Sequence, residues 1–177
     1  MHVRFAAPDW KSLDVLHSEA ILAPFFSDER PLTGALGLID WRLCGFVSRL
    51  IQRGVVQGSF GETVLVPLRP RFASDKLFLF GLGPRESFAA AQQQSVTERM
   101  LDVGVNARVR AMALVLPGRN TQHVSAPEAI ESFVRASANR KSRAEPDEIV
   151  LIETPEAQKE MSPILQRERR RARAAEY

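Results

Sequence analysis

The pattern of hydrophobic and polar positions predicts strands that alternate with helices along most of the chain. Apolar or β-branched runs typical of strands occur at 3–5, 20–26, 63–68, 76–82, 109–116 and 148–153, and the continuous apolar run 20–26 is typical of a strand buried on both faces. Helical periodicity occupies several of the intervals between them, at 9–17, 33–53, 85–103 and 125–134. This alternation predicts an α/β fold with a mixed, mostly parallel sheet sandwiched between helices in three layers.

The segment 33–53 gives the clearest helical pattern. Its apolar positions share one face: Leu36, Ile39, Leu43, Phe46, Val47, Leu50 and Ile51. The polar positions Asp40, Arg42 and Arg49 fall on the opposite face, and Gly54 is a suitable terminator. Glycines at 34, 37 and 45 weaken the prediction for the first turns. Cys44, the single cysteine, falls on the apolar face, so we expect it to be buried as a small hydrophobe.

Two helix starts carry capping signals. Asp9 is a plausible N-cap for the first helix, and Ser125 with Glu128 fits a capping box. From residue 155 the chain turns polar, with Met161, Ile164 and Leu165 as its apolar anchors. We therefore predict an α/β domain over 1–153 and a charged, helical tail over 154–177, with 139–146 as a surface connection.

Length and composition place the chain among ordinary globular domains. It has 177 residues, which is enough for one domain with a real core. No apolar stretch approaches the roughly 20 residues needed to cross a bilayer, and the N-terminus lacks the apolar run of a signal peptide. The sequence therefore predicts no membrane span and a cytoplasmic location.

Positive charge is concentrated near the end of the chain. The net charge is +3, and five arginines fall within residues 167–173: Arg167, Arg169, Arg170, Arg171 and Arg173. Such a cluster could contact nucleic acid or another acidic partner through phosphates or carboxylates. It is also typical of a solvated helix whose arginines pair with neighbouring glutamates, and both interpretations stay open.

The residues that carry hydrolytic chemistry show no catalytic spacing. The three histidines, His2, His17 and His123, are scattered, and His-Glu-x-x-His is absent. The segment Gly58-Ser59-Phe60-Gly61 follows a predicted helix, whereas a nucleophile elbow needs a strand before its serine. We expect a tight turn at this segment, no catalytic residue, no metal and no cofactor.

Gly81-Leu82-Gly83 is a weak candidate for a phosphate-binding loop. It lies between a predicted strand and a predicted helix, where α/β proteins often bind phosphate. A full dinucleotide fingerprint needs a third glycine at the position of Glu86, which would also repel an anion. The alternative is that Gly81 and Gly83 only allow a tight turn.

Several short motifs occur in order between residues 30 and 83. They are Arg30-Pro31-Leu32-Thr33-Gly34, Ile39-Asp40-Trp41-Arg42-Leu43-Cys44-Gly45, Ser48-Arg49-Leu50-Ile51, Gly54, Gly58, Gly61-Glu62 and Leu77-Phe78-Leu79-Phe80-Gly81-Leu82-Gly83. The set resembles the N-terminal domain of the cytosolic leucyl aminopeptidases. In that family a helix carrying Leu-Asp and a downstream Gly-x-x-Gly-Glu precede a strand ending in Gly-Leu-Gly. The resemblance covers residues 3–153.

The resemblance implies a macro-domain-like architecture and a non-catalytic role. In the full-length enzymes a C-terminal domain holds two metal ions and the catalytic Lys and Arg, in motifs such as Asn-Thr-Asp-Ala-Glu-Gly-Arg. No position up to Tyr177 matches those motifs, so no catalytic residue is carried over. The family's N-terminal domain contributes to hexamer contacts and, in some bacterial members, to DNA binding. We therefore expect a chain that is not an enzyme, either a free-standing relative, which we favour, or a fragment.

Three hypotheses follow for the function. The first is a binding or assembly module that contacts a protein partner or a second copy of itself. The second is a nucleotide or ADP-ribose binder that uses Gly81 and Gly83, although fold alone does not carry function. The third is non-specific binding of nucleic acid through the basic tail, with an affinity that falls steeply with salt.

Overall fold

A computed structural model describes residues 2–139 and 146–175. Within these ranges the side chains of residues 139, 169, 172, 173 and 175 are excluded from the description. The surface connection predicted at 139–146 lies for the most part outside the described residues, and it stays a prediction.

Within the described ranges, the sheet has six strands. They are β1 (His2–Ala6), β2 (Ala20–Phe25), β3 (Thr63–Pro67), β4 (Lys76–Gly81), β5 (Ala111–Leu114) and β6 (Glu148–Ile152). Their order across the sheet is β1-β6-β5-β2-β4-β3. Every neighbouring pair is parallel except β3 and β4, which are antiparallel. The predicted mixed, mostly parallel sheet is confirmed, and each predicted apolar run coincides with one of these strands, although β1 extends one residue beyond its run at either end.

Helices cover both faces of the sheet. They are α1 (Trp10–Asp14), α2 (Gly34–Arg42), α3 (Phe46–Gln52), α4 (Ala90–Asn106), α5 (Ala126–Asn139) and α6 (Pro155–Ala175). Side chains alternate along a strand, so Ile21 packs with α1, α2 and α3 while Leu22 packs with α4, α5 and α6. Continuous apolar runs such as 20–26 therefore serve two separate cores, one on each side of the sheet.

The helix predicted over 33–53 is divided in two. Gly45 has a φ of 73°, in the left-handed region that ends helices, and its N–H donates to the Asp40 carbonyl at 2.8 Å. The Asp40 carboxylate is buried and accepts hydrogen bonds from the N–H groups of Val47 and Ser48, at 2.7 and 3.2 Å. The prediction that Asp40 lies on a solvent-facing helical surface was wrong, because this side chain caps α3.

The predicted burial of Cys44 was also wrong. Cys44 lies in the break between α2 and α3 with a φ of 56°, and its side chain is exposed. A residue in the αL conformation does not continue the helical period, so Cys44 leaves the apolar face on which a continuous helix would have placed it.

Other helix boundaries differ less from the prediction. The first helix ends at Asp14, and the helix predicted from residue 85 begins as a short 3-10 turn over Arg85–Ser87 before α4. Asp9 caps α1 as predicted, since its Oδ1 accepts from the Ser12 N–H at 2.7 Å, and this bond lowers the pKa of Asp9. The predicted capping box at Ser125 and Glu128 is present.

The charged segment from residue 155 forms α6, which packs on the α4–α5 side of the sheet. Ala157, Met161 and Leu165 are buried there and Ile164 is partly buried, so the predicted apolar anchors are confirmed. The division into a domain over 1–153 and a tail over 154–177 stays a prediction.

Candidate functional site

The carboxyl ends of β2 and β5 form the topological switch point of the sheet. The two strands are parallel neighbours, and the chain leaves β2 toward β3 and β4 but leaves β5 toward β6. Ligands of open α/β sheets bind in the crevice at such a point. Pro24 lies in β2 beyond the last residue paired with β5, where a missing N–H breaks no strand pairing.

In this chain the two loops at the switch point contact each other directly. The Asn120 side chain donates to the Pro24 carbonyl at 3.4 Å, and Thr33 Oγ1 lies 3.2 Å from the Asn120 carbonyl. A Cβ added to Gly34 would lie 2.5 Å from Asn120 Oδ1, so the loop after β2 needs glycine at this position. The crevice is therefore bridged by protein contacts around Asn120.

Glu29 organises the loop that follows β2. Its side chain is buried and accepts hydrogen bonds from the Phe26 and Thr33 N–H groups, at 3.2 and 3.1 Å, and from the Thr33 hydroxyl at 2.9 Å. A buried carboxylate with several donors holds a loop in one geometry. The sequence prediction missed Glu29, because only the folded loop shows that it points inward.

A buried ion pair ties the loop after β5 to the end of β6. Arg119 Nε donates to Glu153 Oε1 at 2.6 Å and Nη2 to Oε2 at 3.2 Å, which is a bidentate geometry. The side chains are only 10% and 4% exposed. Arg119 Nη1 also donates to the Val124 carbonyl at 2.7 Å. This pair, which the sequence prediction also missed, fixes the carboxyl edge of the sheet.

The structure places Gly81 and Gly83 at the end of β4, against the turn at 58–61. The N–H groups of Gly81, Leu82 and Gly83 donate to the carbonyls of Glu62, Phe25 and Gly58, at 3.0, 3.0 and 2.8 Å. A Cβ on Gly81 would lie 2.0 Å from the Ser59 carbonyl oxygen. All three donors are engaged, so a phosphate would have to displace protein acceptors, and phosphate contact at this loop stays a prediction.

The turn predicted at Gly58-Ser59-Phe60-Gly61 is present. Gly58 and Gly61 have φ values of 76° and 87°, and the Glu62 N–H donates to the Ser59 carbonyl at 2.9 Å. The left-handed backbone at both glycines explains why this residue type stands at each end of the turn.

The basic cluster lies in the last turns of α6. Arg171 donates to Glu168 at 2.8 Å and Arg167 to the same carboxylate oxygen at 3.4 Å, while Arg170 is exposed. The side chains of Arg169 and Arg173 lie outside the described residues. Contact between this cluster and nucleic acid stays a prediction.

An open groove runs along the break between α2 and α3. We call it the tryptophan groove, and its lining includes Pro31, Trp41, Arg42, Cys44, Ser48 and Arg71. Trp41 is 70% exposed, and its ring centroid lies 5.0 Å from that of Trp10. Beside the two rings, Arg42 pairs with Asp14 at 3.0 Å. Exposed tryptophan at such a groove is typical of an interaction surface.

The described residues hold neither a metal cluster nor a membrane-spanning helix. Within 2–139 and 146–175, histidine, cysteine, aspartate and glutamate side chains form no group of three or more that could hold a metal ion. In the same ranges, no helix combines the length and the apolar character needed to cross a membrane.

Curated proteins with similar sequences are cytosol aminopeptidases. A probable cytosol aminopeptidase of Thermosynechococcus vestitus is 28% identical over 158 residues, which covers 87% of this chain but 29% of that protein. A probable cytosol aminopeptidase of Chromobacterium violaceum is 34% identical over 65 residues, covering 37% of this chain and 12% of that protein. The chain thus spans less than a third of the length of these relatives.

Solved structures share the fold at low sequence identity. A mutant of tomato leucine aminopeptidase superposes with a TM-score of 0.58 at 17% identity, over 90% of this chain and 35% of that one. A Trypanosoma brucei macrodomain in complex with ADP gives a TM-score of 0.68 at 13% identity, over 93% and 69% of the two chains. The macrodomain of Thermus aquaticus DarG gives 0.61 at 17% identity, over 85% and 97%. The macro-domain-like architecture is therefore confirmed.

The family model for the cytosol aminopeptidase family, N-terminal domain, matches residues 23–144, which span the sheet from β2 to β5 and most of the helices. The resemblance inferred from the motifs between residues 30 and 83 is thereby confirmed. This chain belongs to the cytosol aminopeptidase family through that family's N-terminal domain.

Proposed function

We propose that this chain is a non-catalytic assembly module that associates with a second copy of itself through the tryptophan groove. The observation that carries the proposal is Trp41, whose large apolar ring is 70% exposed beside a groove. Burial of an aromatic ring contributes much of the energy of a protein interface, and tryptophan is enriched at interface hot spots.

The charges beside Trp41 favour a second copy as the occupant. In a two-fold symmetric contact both copies use the same surface patch. If one residue of the first copy contacts a neighbouring residue of the second, the reverse contact also forms. Arg42 and Asp14 lie side by side at 3.0 Å, so the Arg42 of one copy and the Asp14 of the other can pair across the axis. Apolar rings then meet apolar rings at the centre, with complementary charges at the rim.

The switch-point geometry favours assembly over nucleotide binding. The crevice between the loops after β2 and β5 is bridged at Asn120, and the N–H groups from Gly81 to Gly83 already have acceptors. The ADP in the Trypanosoma brucei complex is a ligand of that macrodomain, which is 13% identical to this chain. The name of the curated relatives, cytosol aminopeptidase, supports a cytoplasmic location for the module.

Light scattering coupled to gel filtration tests the proposed assembly. We expect a dimer that survives high salt, because apolar burial is not screened by ions. The change Trp41→Glu places a charge at the centre of the proposed contact and should give a monomer. Leu65→Glu is the matched control, since Leu65 is 56% exposed on the edge strand β3. This control should keep the dimer.

Two outcomes would contradict the proposed interface. A wild-type monomer at both salt concentrations would remove self-association altogether. A dimer that Leu65→Glu dissociates and Trp41→Glu leaves intact would place the contact at the sheet edge instead. Circular dichroism of each variant checks that both retain the fold.

The non-catalytic part of the proposal has its own assay. The family match over residues 23–144 is to the N-terminal domain, and the expected result is no hydrolysis of a leucyl amide by the purified chain with added zinc or manganese. Metal-dependent turnover that co-purifies with the chain and disappears with a chelator would refute a non-catalytic role.

A further inference from the structure

A small cavity lies between the starts of α4 and α5, on the side of the sheet opposite to the tryptophan groove. We call it the α4–α5 pocket, and its volume is about 180 Å³. Its walls include Phe88, Gln93, His123, Glu128, Glu131 and Arg135. The proposed assembly uses none of these residues.

The side-chain amide of Gln93, which lines this pocket, has a buried hydrogen-bond donor without an acceptor among the described residues. The residue is only 6% exposed, and its Nε2 is buried with no hydrogen-bond partner among the described residues. A buried amide donor without an acceptor costs free energy that an acceptor on a bound molecule would recover. Gln93 lines the pocket, so a molecule bound there lies next to the residue whose amide lacks an acceptor.

The N-terminus of α4, at the same pocket, favours a negatively charged group. The Ala89 N–H donates to Gln92 Oε1 at 2.8 Å, but Ala89 is itself the N-cap and has no side-chain oxygen to offer the N–H groups of the first turn. Ala89 and Ala90 both line the pocket. First-turn N–H groups without a side-chain cap, together with the dipole of this 17-residue helix, favour an anion such as a carboxylate or a phosphate.

The facing wall, on α5, carries negative charge. Glu128 Oε2 accepts from the Ser125 hydroxyl and N–H at 2.7 and 3.1 Å, and the bond from the hydroxyl, reinforced by that from the N–H, lowers the pKa of Glu128. Glu131 stands one turn further along, with Arg135 as its i,i+4 neighbour at 3.9 Å. A phosphate or other dianion entering the pocket would meet two carboxylates against the single positive charge of Arg135, which disfavours it.

The two walls together select a small molecule with both charges. We propose that the α4–α5 pocket binds a small α-amino acid, with its carboxylate at Gln93 and the start of α4 and its ammonium group at Glu128 and Glu131. Phe88 and Val124 supply apolar surface for an aliphatic side chain. The volume of the cavity lies below the range usual for drug-sized ligands, which favours a molecule as small as one amino acid.

Titration of the ¹⁵N-labelled chain with L-valine, followed by NMR, tests this site. We expect saturable shifts of the Gln93 side-chain amide and of the first α4 residues. Two analogues separate the charges, since N-acetylvaline lacks the ammonium group and isobutylamine lacks the carboxylate. Each analogue should bind at least roughly tenfold more weakly than valine, because each lacks a charged group of the ligand and the hydrogen bonds which that group makes.

Paired variants assign the effect to the pocket. Gln93→Met keeps the side-chain volume but removes the amide, and it should weaken valine binding by roughly tenfold or more. Gln94→Met is the control, because it makes the same change at the next residue of α4, which lies outside the pocket lining. The Gln94 amide already has protein partners, since it donates to Glu98 at 2.8 Å and accepts from the Ser132 hydroxyl at 3.1 Å. Glu131→Gln provides an independent check at a half-exposed position where the fold is not at risk, and it should also weaken valine binding.

Several results would overturn the inference. The absence of saturable shifts with valine would remove the site, and equal binding of N-acetylvaline would make it a site for carboxylates in general. Equal affinities of the Gln93→Met and Gln94→Met variants would show that the shifts arise elsewhere. The oligomeric state measured for the tryptophan groove is independent of each of these outcomes.

Discussion

Replacing Arg119 by Met should lower the free energy of unfolding by about 3–5 kcal/mol, which is typical when one partner of a buried ion pair is removed. The aliphatic part of the side chain is retained, so the loss comes from the charge left behind. Glu153, 4% exposed, would keep a carboxylate just after β6 with the Thr154 N–H, at 3.2 Å, as its one remaining donor among the described residues. Urea denaturation followed by circular dichroism measures the difference.

A matched exposed pair and a double variant separate burial from pairing. Arg69 and Asp75 are joined by the same distance, 2.6 Å, but their side chains are 67% and 45% exposed. Arg69→Met should therefore cost no more than about 1 kcal/mol. Adding Glu153→Leu to Arg119→Met should restore most of the stability, because it removes the unpaired charge. A double variant as unstable as the sum of its single changes would contradict this account.

The strands were predictable because their signal is local. The central run 20–26 is apolar on both faces, because a strand in the middle of a sheet between two helical layers is buried on both sides. The mostly parallel direction of the strands follows from their alternation with helices and from the preference for parallel crossovers in α/β folds, whereas their order across the sheet does not. The antiparallel edge strand β3 is the exception, since no local feature of 63–67 sets its direction.

The prediction of a single helix over 33–53 was wrong because hydrophobic periodicity does not reveal which polar side chain caps a helix. Asp40 fits the polar side of a continuous helix as well as it fits a cap for α3, and only the folded chain shows which N–H groups it accepts. Gly45 was the available signal, since a glycine in a helical pattern marks a possible end. A break at this point also exposes Cys44 and opens the groove beside Trp41.

The residues at the carboxyl edge could not be paired from the sequence. Arg119 and Glu153 are separated by 34 positions, and they meet only because β5 and β6 are neighbours in the sheet. Glu153 is a single charged residue at the end of an apolar run, and the sequence pattern does not show that its side chain is buried. The unpartnered amide of Gln93 was equally hidden, because it sits in an ordinary helical segment among three consecutive glutamines.

Gly81→Ala should lower the free energy of unfolding by about 3 kcal/mol or more, in the upper range for overpacked sites. The added Cβ would lie 2.0 Å from the Ser59 carbonyl oxygen and 2.6 Å from the Gly58 carbonyl carbon. Both are backbone atoms of a turn that is hydrogen bonded to β4, so neither can move as a flexible side chain would. The strand and the turn must separate, which strains the hydrogen bond from the Gly81 N–H to the Glu62 carbonyl.

Gly54→Ala is the control for Gly81→Ala, because it measures the cost of a left-handed backbone without any steric clash. Gly54 has a φ of 70° and open space where its Cβ would be, so its cost is the left-handed backbone alone, about 1–2 kcal/mol. Thermal and urea unfolding of the two variants without any ligand distinguish the hypotheses for Gly81. If Gly81 is needed only so that a phosphate can approach, Gly81→Ala should leave the ligand-free stability near that of the wild type. If Gly81 is needed for packing, Gly81→Ala should destabilise the chain more than Gly54→Ala does.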